Sequence, residues 1–383
     1  MLNEPQIESL SYRKRNLFFW TLVVVFLVAL PSLIFYTTGY RLSFEDEATS
    51  IVTTGGVYVT TDNLEVDVYI DDIKEEKPRL FRSAYYIQDV AAGKHRIVVQ
   101  KPDLYTWVKD LPVDPYIVIE ASAFNMPITP HLRPITQYVN ATGTAVYFNE
   151  DKIKTILAEA TATEPYLLTK TKATTTLQTN EEFIFVASLF ASSSTSSKSV
   201  FIDDLDKAKP FKFSTSTAEI ELATTTLIIK ESGGLSLTQH DGEVFALWLN
   251  SGKNIPYYFC VPEEYSSTTA TRYGEHVYTQ FQNLLTSTTT PVIIDNNRMC
   301  RPEIRIDRKG QDVFFYDFLP NSSDLVLLQL EDGLYVIEID DRAWQNTQKI
   351  YSGSDFKVIV ANNLIFIAVD GLYFELITEI EQN

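Results

Sequence analysis

Histidine, cysteine, glycine and basic residues are all scarce in this chain, and each shortage excludes something. There are 4 histidines, His95, His131, His240 and His276, scattered so that none stands in H-E-x-x-H spacing, which leaves a zinc protease without support. The 2 cysteines, Cys260 and Cys300, have no further Cys or His at ligand spacing. No metal site and no cofactor are therefore implied. Lys and Arg number 32 against 50 Asp and Glu, a formal net charge of −18. A surface of that sign repels DNA, RNA and anionic lipid, whose binding requires basic side chains to displace counterions. Nucleic acid is not expected as a partner. With only 14 glycines, glycine-dependent motifs fail as well. The "GK" at Gly93–Lys94 lacks the earlier glycine of a phosphate loop, and His95 stands where Ser or Thr would hold magnesium, so it reads as a turn. "GLSLT" (Gly234–Thr238) has Thr238 where a nucleophile elbow needs its second glycine.

What the chain does have is one long uncharged run, "LFFWTLVVVFLVALPSLIFY" (Leu17–Tyr36). Its length matches the roughly 20 residues a helix needs to cross about 30 Å of hydrocarbon. A cleaved signal peptide is the rival reading, opposed by the length of the run and by the lack of an A-x-A-like site after it. Trp20, Tyr36 and Tyr40 stand where an aromatic belt belongs. Arg13, Lys14 and Arg15 precede the run and only Arg41 follows closely, so the basic-flank rule keeps residues 1–16 in the cytoplasm and exports the rest. The protein is then a single-pass cell-membrane protein with its bulk outside. In an oxidising compartment Cys260 and Cys300 have two possible states, a disulfide or two separate buried thiols, and spacing alone does not choose between them.

After an expected tether at 37–53, strand-length alternating segments follow one another over residues 54–124. They are "GGVYVTT", "VDVYID", "YYIQDV", "HRIVVQK", "YTWVKDLPV" and "YIVIEAS", each separated by turn residues, as in a small antiparallel sandwich. "TDNLEVDVYIDD" (Thr61–Asp72) and "AAGKHRIVVQKPDLYTWVKDLPV" (Ala91–Val113), with Gly93, His95, Tyr105, Trp107 and Lys109, resemble the PEGA domain, a small β-rich module of exported bacterial proteins. The name-giving Pro-Glu-Gly-Ala motif is missing, and Asp72, Ala92 and Leu104 replace the family's turn residues. The order of basic tail, apolar helix, "TGYRL", PEGA-like module and long β-rich tail also resembles a recurrent type of PEGA-domain membrane protein. The resemblance implies a fold and an envelope location, and is silent about chemistry. Prolines at 127, 130 and 134 predict a linker over 125–136.

From residue 137 a short pattern recurs: "AVYFNED" at Ala145, "SVFIDDLD" at Ser199, "EVFALWLN" at Glu243, "PVIIDNN" at Pro291, "LYVIEIDD" at Leu334 and "LYFELIT" at Leu372. Three copies follow Asp-Gly, at Asp241, Asp332 and Asp370, a hairpin signal. Hairpin units at roughly 40–50-residue spacing are the mark of a propeller, so residues 137–383 are expected to form a β-propeller-like domain. The overall expectation is a mainly β protein: one transmembrane helix (17–36), a PEGA-like sandwich and a propeller-like region. Ser/Thr tracts such as "ASSSTSSKS" (Ala191–Ser199) belong on exposed loops.

Candidate site residues are few. Tyr105, Trp107 and Tyr116 offer a possible aromatic platform for sugar rings, with core packing the competing role. The acidic clusters Asp203, Asp204 and Asp206, and Asp340 and Asp341, are visible glycosidase candidates, the first also a calcium candidate, but both read as solvated turns. These features favour a non-enzymatic envelope protein that binds or scaffolds a protein or neutral glycan. An envelope hydrolase with a site on the propeller face is the alternative.

Overall fold

The computed structural model describes residues 11–46, 48–76, 84–163, 176–193, 230–249, 255–262, 269–286, 293–295 and 298–378. It is mainly β, with one apolar helix at the N-terminus. The chain divides into two compact units, residues 1–98 with 110–124, and residues 99–109 with 125–383.

In the first unit the apolar run forms α1, Tyr12–Thr37, with Pro31 inside it and no buried residue. It takes in Arg13, Lys14 and Arg15, so the helix begins before the uncharged run does. The expected tether is not a tether. Tyr40–Asp46 (β1) pairs antiparallel with the start of Ala48–Thr61 (β2), a hairpin directly after the helix. Asp67–Ile70 (β3), Ile73–Lys74 (β4), Ala84–Ala91 (β5), Gly93–Gln100 (β6), Trp107–Val113 (β7) and Val118–Ala123 (β8) follow. One sheet runs β1-β2-β5, with β8 parallel on β2, and the other runs β4-β3-β6-β7. Alternating valines and isoleucines on both sheets (Val57, Val59, Val68, Ile70, Ile97) are buried, as a period of two requires. The Gly93 turn carries the chain from β5 in the first sheet to β6 in the second, with Ala92 alone between them.

Among the described residues, the second unit holds three four-stranded antiparallel sheets. Its first strand is His131–Ile135 (β9), within the stretch expected as a linker. Short pairings of Tyr138–Val139 (β10) with Ala145–Val146 (β11) and Gln178–Thr179 (β12) frame helix α2, Glu150–Glu159, and precede α3, Glu181–Ser193. The Ala145 copy of the repeat is thus a two-residue strand leading into a helix. Ile153, Ile156 and Leu157 fall on one buried helical face, and Glu150 pairs with Lys154 one turn on. The Ser199 copy and Asp203, Asp204 and Asp206 lie outside the described residues.

Lys230–Ser232 (β13), Leu235–His240 (β14) and Glu243–Trp248 (β15) make the first meander. An insertion follows, with Cys260–Pro262 (β16), Thr269–Tyr273 (α4), Glu275–Thr286 (α5), Ile293–Asp295 (β17) and Arg298–Cys300 (β18). Glu303–Arg305 (β19) then completes the sheet beside β15. Phe315–Phe318 (β20), Leu325–Leu330 (β21), Gly333–Glu338 (β22) and Thr347–Ser352 (β23) form the second sheet in chain order. Lys357–Ala361 (β24), Leu364–Val369 (β25) and Leu372–Ile377 (β26) form the third, and β9 pairs beside β26 as its fourth strand. Pro134 is tolerated in β9 because the strand lies at the sheet edge, where a missing N–H costs no ladder bond.

The repeat copies at Glu243, Leu334 and Leu372 are the third strand of each sheet. Their Asp-Gly approaches do different work. Asp241–Gly242 and Asp370–Gly371 are two-residue turns with both φ positive (52° and 77°, 52° and 79°), which carry the twist of the flanking strands. Between β21 and β22 the turn is Glu331–Asp332 instead, and Gly333 is already a strand residue. A Cβ there would stand 2.3 Å from the Tyr351 carbonyl, so close approach of β23 requires the glycine.

Candidate functional site

The largest concentration of chemistry-bearing side chains in the second unit is a buried ionic cluster at the end of β22. Burial is continuous along β22 and past its end, from Gly333 to Arg342, so that Glu338, Asp340, Asp341 and Arg342 are all buried. Asp340 and Asp341 are therefore not a solvated turn. Burying them is possible because each carboxylate meets a cation and several fixed donors.

The cluster has two arms. In the first, the fully buried Lys109 ammonium donates to Glu338 Oε1 and to the Asp340 carbonyl oxygen, both at 2.7 Å, and lies 3.3 Å from Asp340 Oδ2. Trp107 Nε1 donates to Glu338 Oε2 at 3.0 Å, and the Asn346 backbone and side-chain nitrogens donate to Oε1. Arg342 grips Asp340 through both Nε and Nη2, and its guanidinium lies 4.5 Å over the Tyr257 ring. In the second arm Arg301 forms a bidentate pair with Asp341, 2.7 Å on each oxygen, the fork geometry for which guanidinium is suited. Arg301 also donates to Gln280 Oε1 and the Tyr258 carbonyl, while His276 Nε2 lies 3.5 Å from Asp341. Three cations face three carboxylates.

The environments set the carboxylates apart. Burial pushes Glu338 up, outweighing the attraction of Lys109. Burial would raise Asp340 and Asp341 too, but Arg342 with Lys109 holds Asp340 below the usual range, and Arg301 holds Asp341 far below it. A raised glutamate suggests a general acid. Glu338, however, has a side chain only 4% exposed and already accepts from Lys109, Trp107 and Asn346, so no substrate reaches it.

The sequence-derived aromatic candidates are not brought together as a platform. Trp107 has no exposed surface, and its ring belongs to the core beneath Glu338. Tyr105 is half-buried and precedes β7, its backbone N–H donating to the Met126 carbonyl. Tyr116 is exposed and belongs to the first unit. Cys260 and Cys300 stand opposite each other on β16 and β18 and are joined by a disulfide. Among the described residues no group of three or more His, Cys, Asp or Glu is placed to hold a metal ion.

Accessible concavity lies elsewhere in the same unit. Two depressions of about 600 Å³ each flank the loop Ser354–Lys357. Phe314, Phe315, Gln329, Phe356 and Val358 line one; Ala187, Phe190, Phe356, Ala368 and Tyr373 are among those lining the other. Their volumes are in the range of small-molecule sites, and their walls mix these aromatic and apolar side chains with charged ones, Glu331, Asp355 and Lys357 in the first and Asp355, Lys357 and Asp370 in the second. Gln329 Nε2 donates to the Phe356 carbonyl at 2.8 Å and fixes the loop between them. Sequence reasoning missed both, because Phe314 and Phe356 lie outside the recurring strands that organise the chain. No family model matches the chain, and no curated protein matches it significantly.

Proposed function

We propose that the chain is a non-enzymatic, membrane-anchored envelope protein that acts by binding. In this reading a PEGA-like β module and a propeller-like region are displayed outside the membrane to a protein or neutral glycan. The carrying observation is the contrast within the second unit: the clustered carboxylates are neutralised and inaccessible, whereas the open depressions present aromatic side chains (Phe314, Phe356, Tyr373) beside a few charged ones. Aromatic and apolar walls contribute contact area without a reactive group.

Three further features support parts of this reading. α1 is 26 residues long, its most apolar 18-residue stretch has a mean hydropathy of 2.6, and none of that stretch is buried, which suits lipid. The Cys260–Cys300 disulfide suits an oxidising, exported location. The three meanders, each with the repeat as third strand, and β9 pairing beside the last strand, are an arrangement that a propeller-like region would have.

The test is a pull-down from envelope extract with the full-length protein in detergent, beside a hydrolase screen on peptidoglycan and polysaccharides. Full length is required because a fragment beginning at residue 137 would lack β9 and Lys109. Stable capture that is lost on Phe314→Ser or Phe356→Ser, without turnover, is expected. Turnover abolished by replacing Glu331 or Asp355, the carboxylates bordering the first depression, would overturn the reading. Orientation is tested in intact cells with an impermeant thiol reagent on single cysteines at positions 8 and 180. Labelling at 8 and not 180 would reverse the topology.

A further inference from the structure

We propose that the loop 114–118 of the first unit is a second membrane contact, lying in the interfacial layer of the same bilayer that α1 enters. This rests on the anchor reading above and adds to it a fixed seat for the first unit on the lipid surface.

Ring contacts connect the helix exit to the loop. Phe35, in the last turn of α1, stacks on Tyr40 at 5.5 Å, and Tyr40 meets Tyr116 edge-on at 5.9 Å. A Cβ on Gly39 would lie 3.0 Å from Tyr116 Cδ1, so the Tyr116 ring stands directly against the residue that leaves the helix. At this junction three consecutive apolar side chains face solvent: Tyr116, Ile117 and Val118, 57%, 49% and 43% exposed.

The backbone holds them there under strain. Tyr116 has φ 65°, a left-handed conformation uncommon for a bulky aromatic. It is kept by its own N–H donating to the Thr54 carbonyl at 2.9 Å and by Gly56 N–H donating to the Ile117 carbonyl at 3.0 Å. Strain maintained to expose apolar side chains, rather than to bury them, is the kind that accompanies function.

The occupant that fits is lipid. The loop is two ring contacts from the end of a helix that is uncharged from Leu17 onward, so where α1 leaves the hydrocarbon at that end, Tyr116 is at headgroup depth. Tyrosine rings favour that depth, with Ile117 and Val118 able to enter the acyl boundary. Arg41 is turned back towards the same level: its guanidinium, paired with the Asp89 carboxylate, lies 3.8 Å over the Tyr36 ring and donates to the Tyr36 carbonyl at 2.7 Å. The net charge of −18 favours a zwitterionic over an anionic surface.

The experiment uses the full chain, native disulfide intact, in phosphatidylcholine nanodiscs. Single cysteines replace Ile117, Leu27 in mid-helix and Ile73, which is 69% exposed on β4. Each carries an environment-sensitive fluorophore, and quenching by spin-labelled lipid is measured. The fluorophore at 117 should be quenched by labels near the headgroup about twofold or more over that at 73, and that at 27 by deep labels. Equal quenching at 117 and 73, with 27 quenched, would overturn the inference and leave the anchor standing. No quenching at 27 would overturn both.

Discussion

Lys109→Met is the substitution that tests the buried cluster most directly. The lysine has no exposed surface and is within 3.3 Å of both Glu338 and Asp340. Methionine keeps most of the apolar stem and removes the charge. Asp340 retains Arg342, but Glu338 is left as a buried carboxylate served only by the neutral donors of Trp107 and Asn346. Breaking a buried pair from one side costs about 3–5 kcal/mol, because the remaining charge is neither hydrated nor matched. Urea unfolding of the full-length protein in detergent, followed by tryptophan fluorescence with Trp107 as the local reporter, should show a deficit of that size at neutral pH. The pH dependence has a definite sign. Burial already holds Glu338 above its ordinary value, so its protonated form is favoured by the fold. Its penalty grows as pH rises through that folded value and vanishes below the ordinary glutamate value of about 4.3. Without Lys109 the penalty is larger, so the deficit should narrow on acidification towards that range. Adding Glu338→Gln should recover about 1–3 kcal/mol relative to the sum of the single changes. A deficit under about 1 kcal/mol at neutral pH, below what a broken buried pair costs, or one that widens on acidification, would refute the reasoning.

Asp341→Asn should behave in the opposite sense. The folded value of Asp341 is held far below its unfolded one, so its stabilisation is present above the unfolded value and is lost only as pH falls through the folded one. The variant's deficit should therefore persist to pH 4 and close well below it, as followed by acid unfolding; closure above the ordinary aspartate value of about 3.9 would contradict the pairing. Cys300→Ser opens a cross-link between residues 40 apart and should cost about 4 kcal/mol by loop entropy. Two free thiols in the unfolded, unreduced parent protein would remove the basis for that figure. Gly333→Ala forces a methyl group onto the Tyr351 carbonyl and should cost about 1–3 kcal/mol by overpacking. Gly371→Ala, with open space but φ 79°, should cost less, and the order of their melting temperatures decides the point.

Several features follow from the sequence because they depend on local physics. Twenty uncharged residues in a row make an apolar helix whatever surrounds them, and alternating valines and isoleucines make half-buried strands. Asp-Gly before such a strand marks the hairpins at 241 and 370. The strands at Glu243, Leu334 and Leu372 were legible for the same reason, though not their place as third strand of each sheet. What the sequence left undecided depends on partners far along the chain. Pro134 marks a linker until β26, more than 200 residues later, supplies a strand for β9 to edge. Asp340 and Asp341 are indistinguishable from a wet turn until Lys109 and Arg301 arrive to neutralise them. Trp107 offers a sugar platform by spacing alone, and becomes core because Glu338 accepts its N–H in the interior. Gly333 shares its motif with Gly371 but is required by the Tyr351 carbonyl rather than by its own φ. Local pattern fixes which residues make helix and strand; only the approach of distant segments decides which charges are buried and which aromatics remain open to a ligand.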